Sequence, residues 1–242
     1  MSYERSFSIL DSVDSTNNYA MGKVHAGMAK HGQAWFAKHQ TAGKGQRGNT
    51  WLSRPDDNII LTVIIQPGTA FPIGSFYFNA LVSMTCLQFL RQWDSHNFSI
   101  KWPNDLYWRD RKAGGMLIEN VIQGNEWKWA VVGIGININQ EEFPEGVKNP
   151  CSLSLINEQK FDSIELAREL HTRIVDDLEK RPSAQEILQD YNHHLFQKNK
   201  EVKLKKGNST FSTTIKEVDA FGRLHTEDTM ERCFEFGEVS WV

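Results

Sequence analysis

Hydrophobic side chains recur with two different periods along this chain, and each period predicts a type of element. Apolar residues spaced three and four apart predict helices over 76–93 and over Ser163 to Arg181, the second with Asp162 and Glu165 as a capping box. Shorter alternating or continuous apolar runs predict strands. These lie at 7–10, 34–39, 58–65, 98–102, 112–122 and 127–138. Helices are also predicted from Asp14 or Ser15 to about Val24 and over 183–194. The order predicts an α+β fold with a mixed sheet and flanking helices.

The pattern changes at about residue 199, where short alternating strands separated by turn sequences begin. The turns are Lys206 to Ser209, Asp219 to Gly222 and Glu227–Asp228. Short strands with such turns are typical of a small β-barrel. We therefore predict two domains, one over residues 1–195 and a small β domain over 196–242.

Composition and charge narrow the possible classes of protein. The chain has 242 residues, 27 basic and 30 acidic, with a formal net charge of −3. This balance disfavours indiscriminate binding to nucleic acid or anionic membranes. The three cysteines lie far apart, so neither a disulfide framework nor a zinc site is expected. The N-terminus lacks an apolar signal core and no apolar run could span a bilayer, so we expect a soluble, cytoplasmic protein.

Residues 40–51 carry the most specific local signal, because three glycines and two cations lie between a predicted strand and Trp51. Glycines allow the backbone to approach a ligand closely, and Lys44 and Arg47 supply positive charge, so the segment is a candidate anion-binding loop. Its glycines fit a dinucleotide fingerprint, but no helix start follows. The segment also lacks the lysine of a P-loop. An ordinary mobile surface loop is the alternative.

Three further segments contain chemically useful residues, although each has an ordinary explanation when taken alone. Asn104 and Asp105 follow Pro103 and are predicted to lie in a turn. Lys112 precedes two glycines at the start of an apolar strand, and another strand contains Gly133, Gly135 and Asn137. Ser15, Thr16 and Asn17 either start a helix or offer hydrogen-bond donors and acceptors to a ligand.

Taken together and in order, these segments resemble the biotin protein ligases. The matching residues are Ser15 to Asn17, Gln40 with Gly43 to Trp51, Lys101 to Asp105, Lys112 with Gly115, Gly133 to Asn137, and Gly237 to Ser240. The resemblance implies a catalytic domain like that of class II aminoacyl-tRNA synthetases and biotin synthetases, with an SH3-like C-terminal domain. It implies activation of biotin by ATP with Mg²⁺, then transfer to a lysine of a biotin carboxyl carrier protein. A homodimer is possible, and no DNA or membrane partner is expected.

The resemblance also assigns roles to individual residues. The catalytic residues it implies are Lys112, Arg47 and Asp105. The implied biotin-binding residues are Ser15, Thr16, Asn17, Gln40, Lys44, Gly45, Gln46, Lys112, Gly115 and Leu117. The implied ATP- and adenylate-binding residues are Gly43, Lys44, Arg47, Gly48, Trp51, Asn104 and Asn137. No resident metal site is implied, since Mg²⁺ arrives with the triphosphate.

Three departures from the family pattern affect these expectations. Lys44 stands where many members carry arginine, which keeps the charge but loses the bidentate fork. Gln46 stands where many carry a cation, so it retains hydrogen bonding but not charge, and adenylate retention is expected to be weaker. The motif at Ser15 leaves no room before it for a helix-turn-helix domain, so a monofunctional form without operator-specific DNA binding is expected. Lipoate ligation is one alternative, although three consecutive glycines after an arginine-rich segment are lacking. A non-enzymatic biotin-binding module is the other.

Overall fold

The computed structural model describes residues 6–68, 71, 75–180 and 182–242. The first part of the chain forms seven strands. They are β1 (Phe7–Val13), β2 (Ala34–Gln40), β3 (Ile59–Ile65), β4 (Phe98–Lys101), β5 (Asp105–Trp108), β6 (Arg111–Gln123) and β7 (Glu126–Ile136). They form one sheet in the order β1-β2-β3-β7-β6-β5-β4. Only the β1–β2 pair of this sheet is parallel, so the sheet is mixed, as predicted.

Among the described residues, five α-helices accompany this sheet. They are α1 (Thr16–His25), α2 (Phe76–Leu90), α3 (Leu153–Asn157), α4 (Ser163–Lys180) and α5 (Ala184–His193). Helix α1 contacts β2, β3 and β7, whereas α2 and α4 contact each other and α2 also contacts α5. None of the described helices has the length and apolar content needed to span a membrane.

Strand β3 is buried on both faces, which explains its continuous apolar sequence. Ile59, Leu61, Val63 and Ile65 belong to the main core, which also contains side chains of α2 and α4. Ile64 on the opposite face packs in a smaller cluster with side chains of α1. Because neighbouring side chains of a strand point to opposite faces, the single polar residue Thr62 also lies on the second face. That face carries the candidate functional site.

The C-terminal part forms a second, antiparallel sheet. Its strands are β8 (Glu201–Lys206), β9 (Ser209–Val218), β10 (Leu224–Glu227), β11 (Glu231–Phe234) and β12 (Ser240–Trp241). Their order is β11-β10-β9-β8-β12. The α+β fold class, with a small β unit after the helices, is thus confirmed. The second sheet packs against the first part, since Trp102 Nε1 donates to the Gly222 carbonyl at 2.8 Å.

Several local predictions were wrong in detail. Asp105 does not lie in a turn but is the first residue of β5, whereas Lys112 lies at the start of β6, as predicted. Helix α2 ends at Leu90, three residues earlier than predicted. Short elements such as β5 and α3 contain too few residues to display a period, so the sequence pattern did not reveal them.

The helix caps also differ from the prediction. Asp162 accepts the backbone N–H groups of Ile164 and Glu165, whereas the complete capping box occurs at α5, between Ser183 and Glu186. Helix α4 is described as far as Lys180, and Arg181, its predicted last residue, lies outside the described residues.

Candidate functional site

A cavity of about 450 Å³ lies between the first sheet, the glycine-rich loop and the second sheet. Most of the site residues predicted from the sequence line it. They are Ser15, Thr16, Asn17, Gln40, Lys44, Gly45, Gln46, Arg47, Trp51, Asn104, Asp105, Lys112, Gly115 and Leu117. Residues separated by about 100 positions in sequence therefore meet around one space. Their convergence favours a ligand-binding role over the separate ordinary explanations.

One end of the cavity is neutral and densely hydrogen-bonded. Gln40 Oε1 accepts from the Thr16 backbone N–H at 2.7 Å and from its hydroxyl at 3.0 Å. The Asn17 amide nitrogen donates to Glu119 Oε2 at 2.8 Å and to the Leu117 carbonyl at 3.3 Å. Helix α1 and strands β2 and β6 are thereby tied together at the start of α1, and the polar side chains are held in fixed orientations.

Thr62 also belongs to this polar end of the cavity, and it was not among the site residues predicted from the sequence. Its hydroxyl lies 2.8 Å from Thr16 Oγ1 and 2.7 Å from Asn17 Oδ1, and the residue is fully buried. The available signal was a lone threonine inside the apolar run of β3.

The side chain of Ser15, at the N-cap position of α1, makes no capping hydrogen bond. Helix capping therefore does not explain the Ser15 hydroxyl beside the cavity.

Two glycines of β7 permit other side chains to pack against the strand. A Cβ at Gly133 would overlap the Asn17 side-chain amide, and a Cβ at Gly135 would overlap the Trp51 indole. Because these two positions of β7 carry no side chain, Asn17 and Trp51 can lie against the sheet. These contacts fit the ordinary explanation for the two glycines, because side chains packed on the sheet occupy the space beside them.

The glycine-rich loop folds back on itself as a compact turn beside the cavity. The Gly45 backbone N–H donates to the Asn49 carbonyl at 2.7 Å, and the Trp51 N–H donates to the Gly43 carbonyl at 2.9 Å. Arg47 has a φ of 54°, a left-handed conformation that is unfavourable for a residue with a side chain. Such backbone strain occurs most often at functional positions.

Side chains of the loop contact two other parts of the protein, strand β6 and the segment that contains Phe236. Lys44 Nζ lies 3.8 Å from Glu119 Oε1, and the Gln46 amide donates to the Met116 carbonyl at 3.4 Å. The Arg47 guanidinium lies over the Phe236 ring, with its carbon 6.0 Å from the ring centroid. The loop is therefore anchored to both sheets.

Asp105 and Lys112 form an ion pair in the cavity wall, with 2.7 Å between Oδ1 and Nζ. Both side chains are about one-third exposed, so the pair remains accessible to a ligand. Asp105 is paired with Gly115 across β5 and β6, and a Cβ at Gly115 would lie 2.8 Å from Asp105 Oδ1. Glycine at this position therefore leaves room for the carboxylate beside the ammonium.

Lys101 is a cavity-lining cation that was absent from the predicted site residues, although its motif was noted. Its ammonium lies 4.6 Å from the Tyr107 ring centroid, 5.6 Å from that of Phe196 and 4.8 Å from that of Trp241. Burial lowers the pKa of Lys101 to about 8, with the nearby ammonium of Lys112 acting in the same direction and Asp105 opposing them.

The second sheet contributes to the cavity wall, which the sequence did not reveal. Phe236, Val239, Ser240 and Trp241 line the cavity, as does Lys148 from the segment that precedes α3. Among the lining residues, five cations face a single carboxylate. The cations are Lys44, Arg47, Lys101, Lys112 and Lys148, and the carboxylate is Asp105. The cavity thus joins a neutral polar end to a cationic region suited to carboxylate and phosphate groups.

Three predicted site residues do not line this cavity. Gly43 is buried against Trp51, because a Cβ there would meet the Trp51 carbonyl. Gly48 ends the short turn of the loop with a φ of 79°. The Asn137 amide donates to the Cys151 carbonyl at 3.0 Å and braces the chain before α3. The Asn104 side chain lines the cavity, but its amide nitrogen also donates to the Met116 carbonyl.

The mixed sheet, its helices and this polar-to-cationic cavity define a small-molecule-binding α+β domain. Residues 9–137 match the family described as Biotin/lipoate A/B protein ligase. The match covers more than half of the chain and includes α1, the glycine-rich loop and the Asp105–Lys112 pair. The chain belongs to the biotin/lipoate A/B protein ligase family.

Individual relatives agree with this membership. The bifunctional ligase/repressor BirA of Escherichia coli is 33% identical over 152 residues, covering 62% of this chain and 46% of that protein. The biotin--[acetyl-CoA-carboxylase] ligase of Paracoccus denitrificans is 33% identical over 132 residues, covering 54% of this chain and 53% of that protein. The chain thus spans about half the length of these curated relatives.

A solved structure resembles the whole chain. The biotin protein ligase of Aquifex aeolicus, in complex with biotin and ATP, superposes with a TM-score of 0.80 at 26% identity. The superposition covers 98% of each chain, so it includes the second sheet as well as the first.

Proposed function

We propose that this protein is a biotin protein ligase, which joins biotin and ATP into biotinyl-5′-AMP and then transfers biotin to a lysine of a biotin carboxyl carrier protein. The observation that carries the proposal is the form of the cavity. A neutral hydrogen-bonding end at the start of α1 continues into a cationic region around Lys112. Biotin has the same polarity, with a neutral ureido ring at one end and a carboxylate at the other.

The ureido ring presents two N–H donors and a carbonyl acceptor, which require partners of both kinds. Thr16, Asn17 and Gln40 carry hydroxyl and amide groups that supply donors and acceptors. The hydrogen bonds among these side chains fix them before a ligand arrives, which lowers the cost of binding. The dithiolane ring of lipoate has no comparable hydrogen-bonding groups, so this end of the cavity favours biotin over lipoate.

In the first reaction, a carboxylate oxygen of biotin attacks the α-phosphorus of ATP, and pyrophosphate leaves as the new P–O bond forms. Two anions must approach each other, so the step needs concentrated positive charge. Lys112, Arg47 and Lys101 line the cavity and supply it. Mg²⁺ would arrive with the triphosphate and would neutralise part of its charge, whereas Asp105, the lining carboxylate, already pairs with Lys112.

In the second reaction, the amine of the carrier lysine attacks the acyl carbon of the adenylate, the acyl C–O bond breaks, and AMP leaves. Asp105 is the lining group that can hold the incoming ammonium and accept its proton. The mixed anhydride must be shielded from water until this attack. The glycine-rich loop, anchored on Glu119, Met116 and Phe236, forms the cover.

Mass spectrometry of a carrier domain incubated with the protein, biotin and MgATP tests the proposal. We expect a mass gain of one amide-linked biotin on a single lysine, which is lost without ATP and strongly reduced with Lys112→Ala. Lipoate in place of biotin provides the competing outcome. Modification by lipoate alone would reassign the substrate, and biotin binding without pyrophosphate release would identify a binding module.

A further inference from the structure

Three side chains with metal-binding atoms meet on the second sheet, outside the cavity described above. Asp219 follows β9, His225 lies on β10, and Cys233 lies on β11. Asp219 Oδ2 is 3.0 Å from His225 Nε2, and the same nitrogen is 3.5 Å from Cys233 Sγ. All three ligand atoms lie within 4.8 Å of one another.

The strand register produces this cluster, since the sequence spacing alone does not suggest it. His225 is directly paired with Cys233 across β10 and β11, so the two side chains share one face. The turn after β9 brings Asp219 to the same place. Its Oδ1 accepts backbone N–H groups of Phe221 and Arg223 at 2.9 and 3.0 Å, which fixes the carboxylate.

The arrangement differs from that of a thiol–imidazole–carboxylate relay. In a relay, the carboxylate bonds one ring nitrogen and the thiol lies at the other. Here Asp219 and Cys233 both face Nε2 of His225, so the three atoms surround a common point. Zinc bonds of about 2.0–2.3 Å at tetrahedral angles place neighbouring ligands roughly 3.3–3.8 Å apart. The cluster therefore needs only small side-chain movements to reach that geometry.

Ion pairs hold the charged side chains around the cluster in place. Glu238 pairs with Lys206 at 3.0 Å. Arg223 pairs with Asp219, since its Nε donates to Oδ2 at 2.8 Å and its Nη2 lies 2.7 Å from the same oxygen. Hydrogen bonds of this kind orient carboxylate ligands in many metal sites.

We propose that Asp219, His225 and Cys233 form a site for a thiophilic divalent cation of the zinc class. Water completes the coordination, and the Cys233 thiol releases its proton to solvent as the metal–sulfur bond forms. The turn that Asp219 fixes also carries Gly222, whose carbonyl accepts from Trp102 Nε1 and whose Cα packs on Phe76. Metal binding therefore stabilises the contact between the two sheets.

Cobalt binding tests the site without any measurement of enzyme activity. We expect Co²⁺ to produce a near-ultraviolet thiolate-to-metal absorption band in the native protein, at one ion per chain, and Zn²⁺ to displace it. Cys233→Ala should abolish the band, and His225→Gln should weaken Zn²⁺ binding at least tenfold. His193→Gln is the matched control, because His193 is an exposed histidine outside the cluster and its loss should leave the band unchanged.

Protection of the thiol provides a second measurement, which does not depend on cobalt. Cys233 is the exposed cysteine, whereas Cys86 and Cys151 are buried, so an alkylating reagent should modify Cys233 first. We expect Zn²⁺ to slow this alkylation and to raise the melting temperature of the native protein but not of Cys233→Ala. Unprotected alkylation, or a cobalt band that survives in Cys233→Ala, would overturn the proposal and leave an adventitious ion only.

Discussion

Replacing Thr62 by valine tests how the neutral end of the cavity is organised. The substitution preserves the shape of the side chain and removes only the hydroxyl, which lies 2.8 Å from Thr16 Oγ1 and 2.7 Å from Asn17 Oδ1. A hydroxyl has one proton and donates to one of these acceptors at a time. The variant therefore loses one buried donor and leaves an acceptor without it.

Two effects of different size are expected. The unsatisfied buried acceptor should lower the free energy of unfolding by about 1–3 kcal/mol. Biotin must also immobilise a side chain that Thr62 no longer holds, at a cost of about 0.5–1.5 kcal/mol, which corresponds to a Kd increase of roughly 2- to 12-fold. Urea unfolding measures the first effect, and calorimetric titration with biotin alone measures the second.

Two control variants separate stability from site organisation. Thr62→Ser retains the hydroxyl and should restore most of the biotin affinity. Thr85→Val removes another buried hydroxyl, which lies 3.1 Å from the Leu81 carbonyl oxygen and 2.9 Å from Asp177 Oδ2 on α4. It should lower stability without changing the Kd. If Thr62→Val, like Thr85→Val, lowered the free energy of unfolding but left the Kd for biotin unchanged, the idea that Thr62 orients the binding side chains would be refuted.

Three further substitutions give sharp outcomes. Lys112→Ala should slow adenylate formation by a factor on the order of 10², and it should reduce biotin affinity by a smaller factor. A single-turnover rate equal to that of the native protein would show that Lys112 has no catalytic role. Folded Lys101 releases its proton near pH 8, whereas the unfolded chain retains it to about 10.5. The free energy of unfolding should therefore rise with pH between these values relative to Lys101→Met, and parallel urea-stability curves would contradict the assigned burial. Gln46→Arg should slow dissociation of the adenylate through an added charge, by at most about 1.5–3 kcal/mol, and unchanged dissociation rates in a chase experiment would place residue 46 away from the ligand.

The periodicity of the sequence was sufficient to predict the long elements and the fold class. Strand β3 is a continuous apolar run because both of its faces are buried, and helix α4 shows a clear helical period because one of its faces is buried. Short elements were not predictable in this way. Strand β5 has four residues, and its position depends on antiparallel pairing with β4 and β6.

Most of the cavity could also be predicted from the sequence, because the glycines and cations of residues 43–51 and the Asp105–Lys112 region are themselves unusual. The family resemblance linked these segments, since no local pattern states that Asn17 and Glu119 meet. The roles assigned to the individual site residues remain predictions until variants are measured.

Only the tertiary structure decided which groups complete the site. Thr62 acquires its partners from the sheet face on which it lies, and Trp241 reaches Lys101 because the second sheet packs against the first. His225 and Cys233 come together through strand register rather than through spacing in the sequence. Local sequence determines periodicity and backbone preference, whereas contacts between distant residues depend on how the elements pack, and these contacts position the side chains that close the cavity.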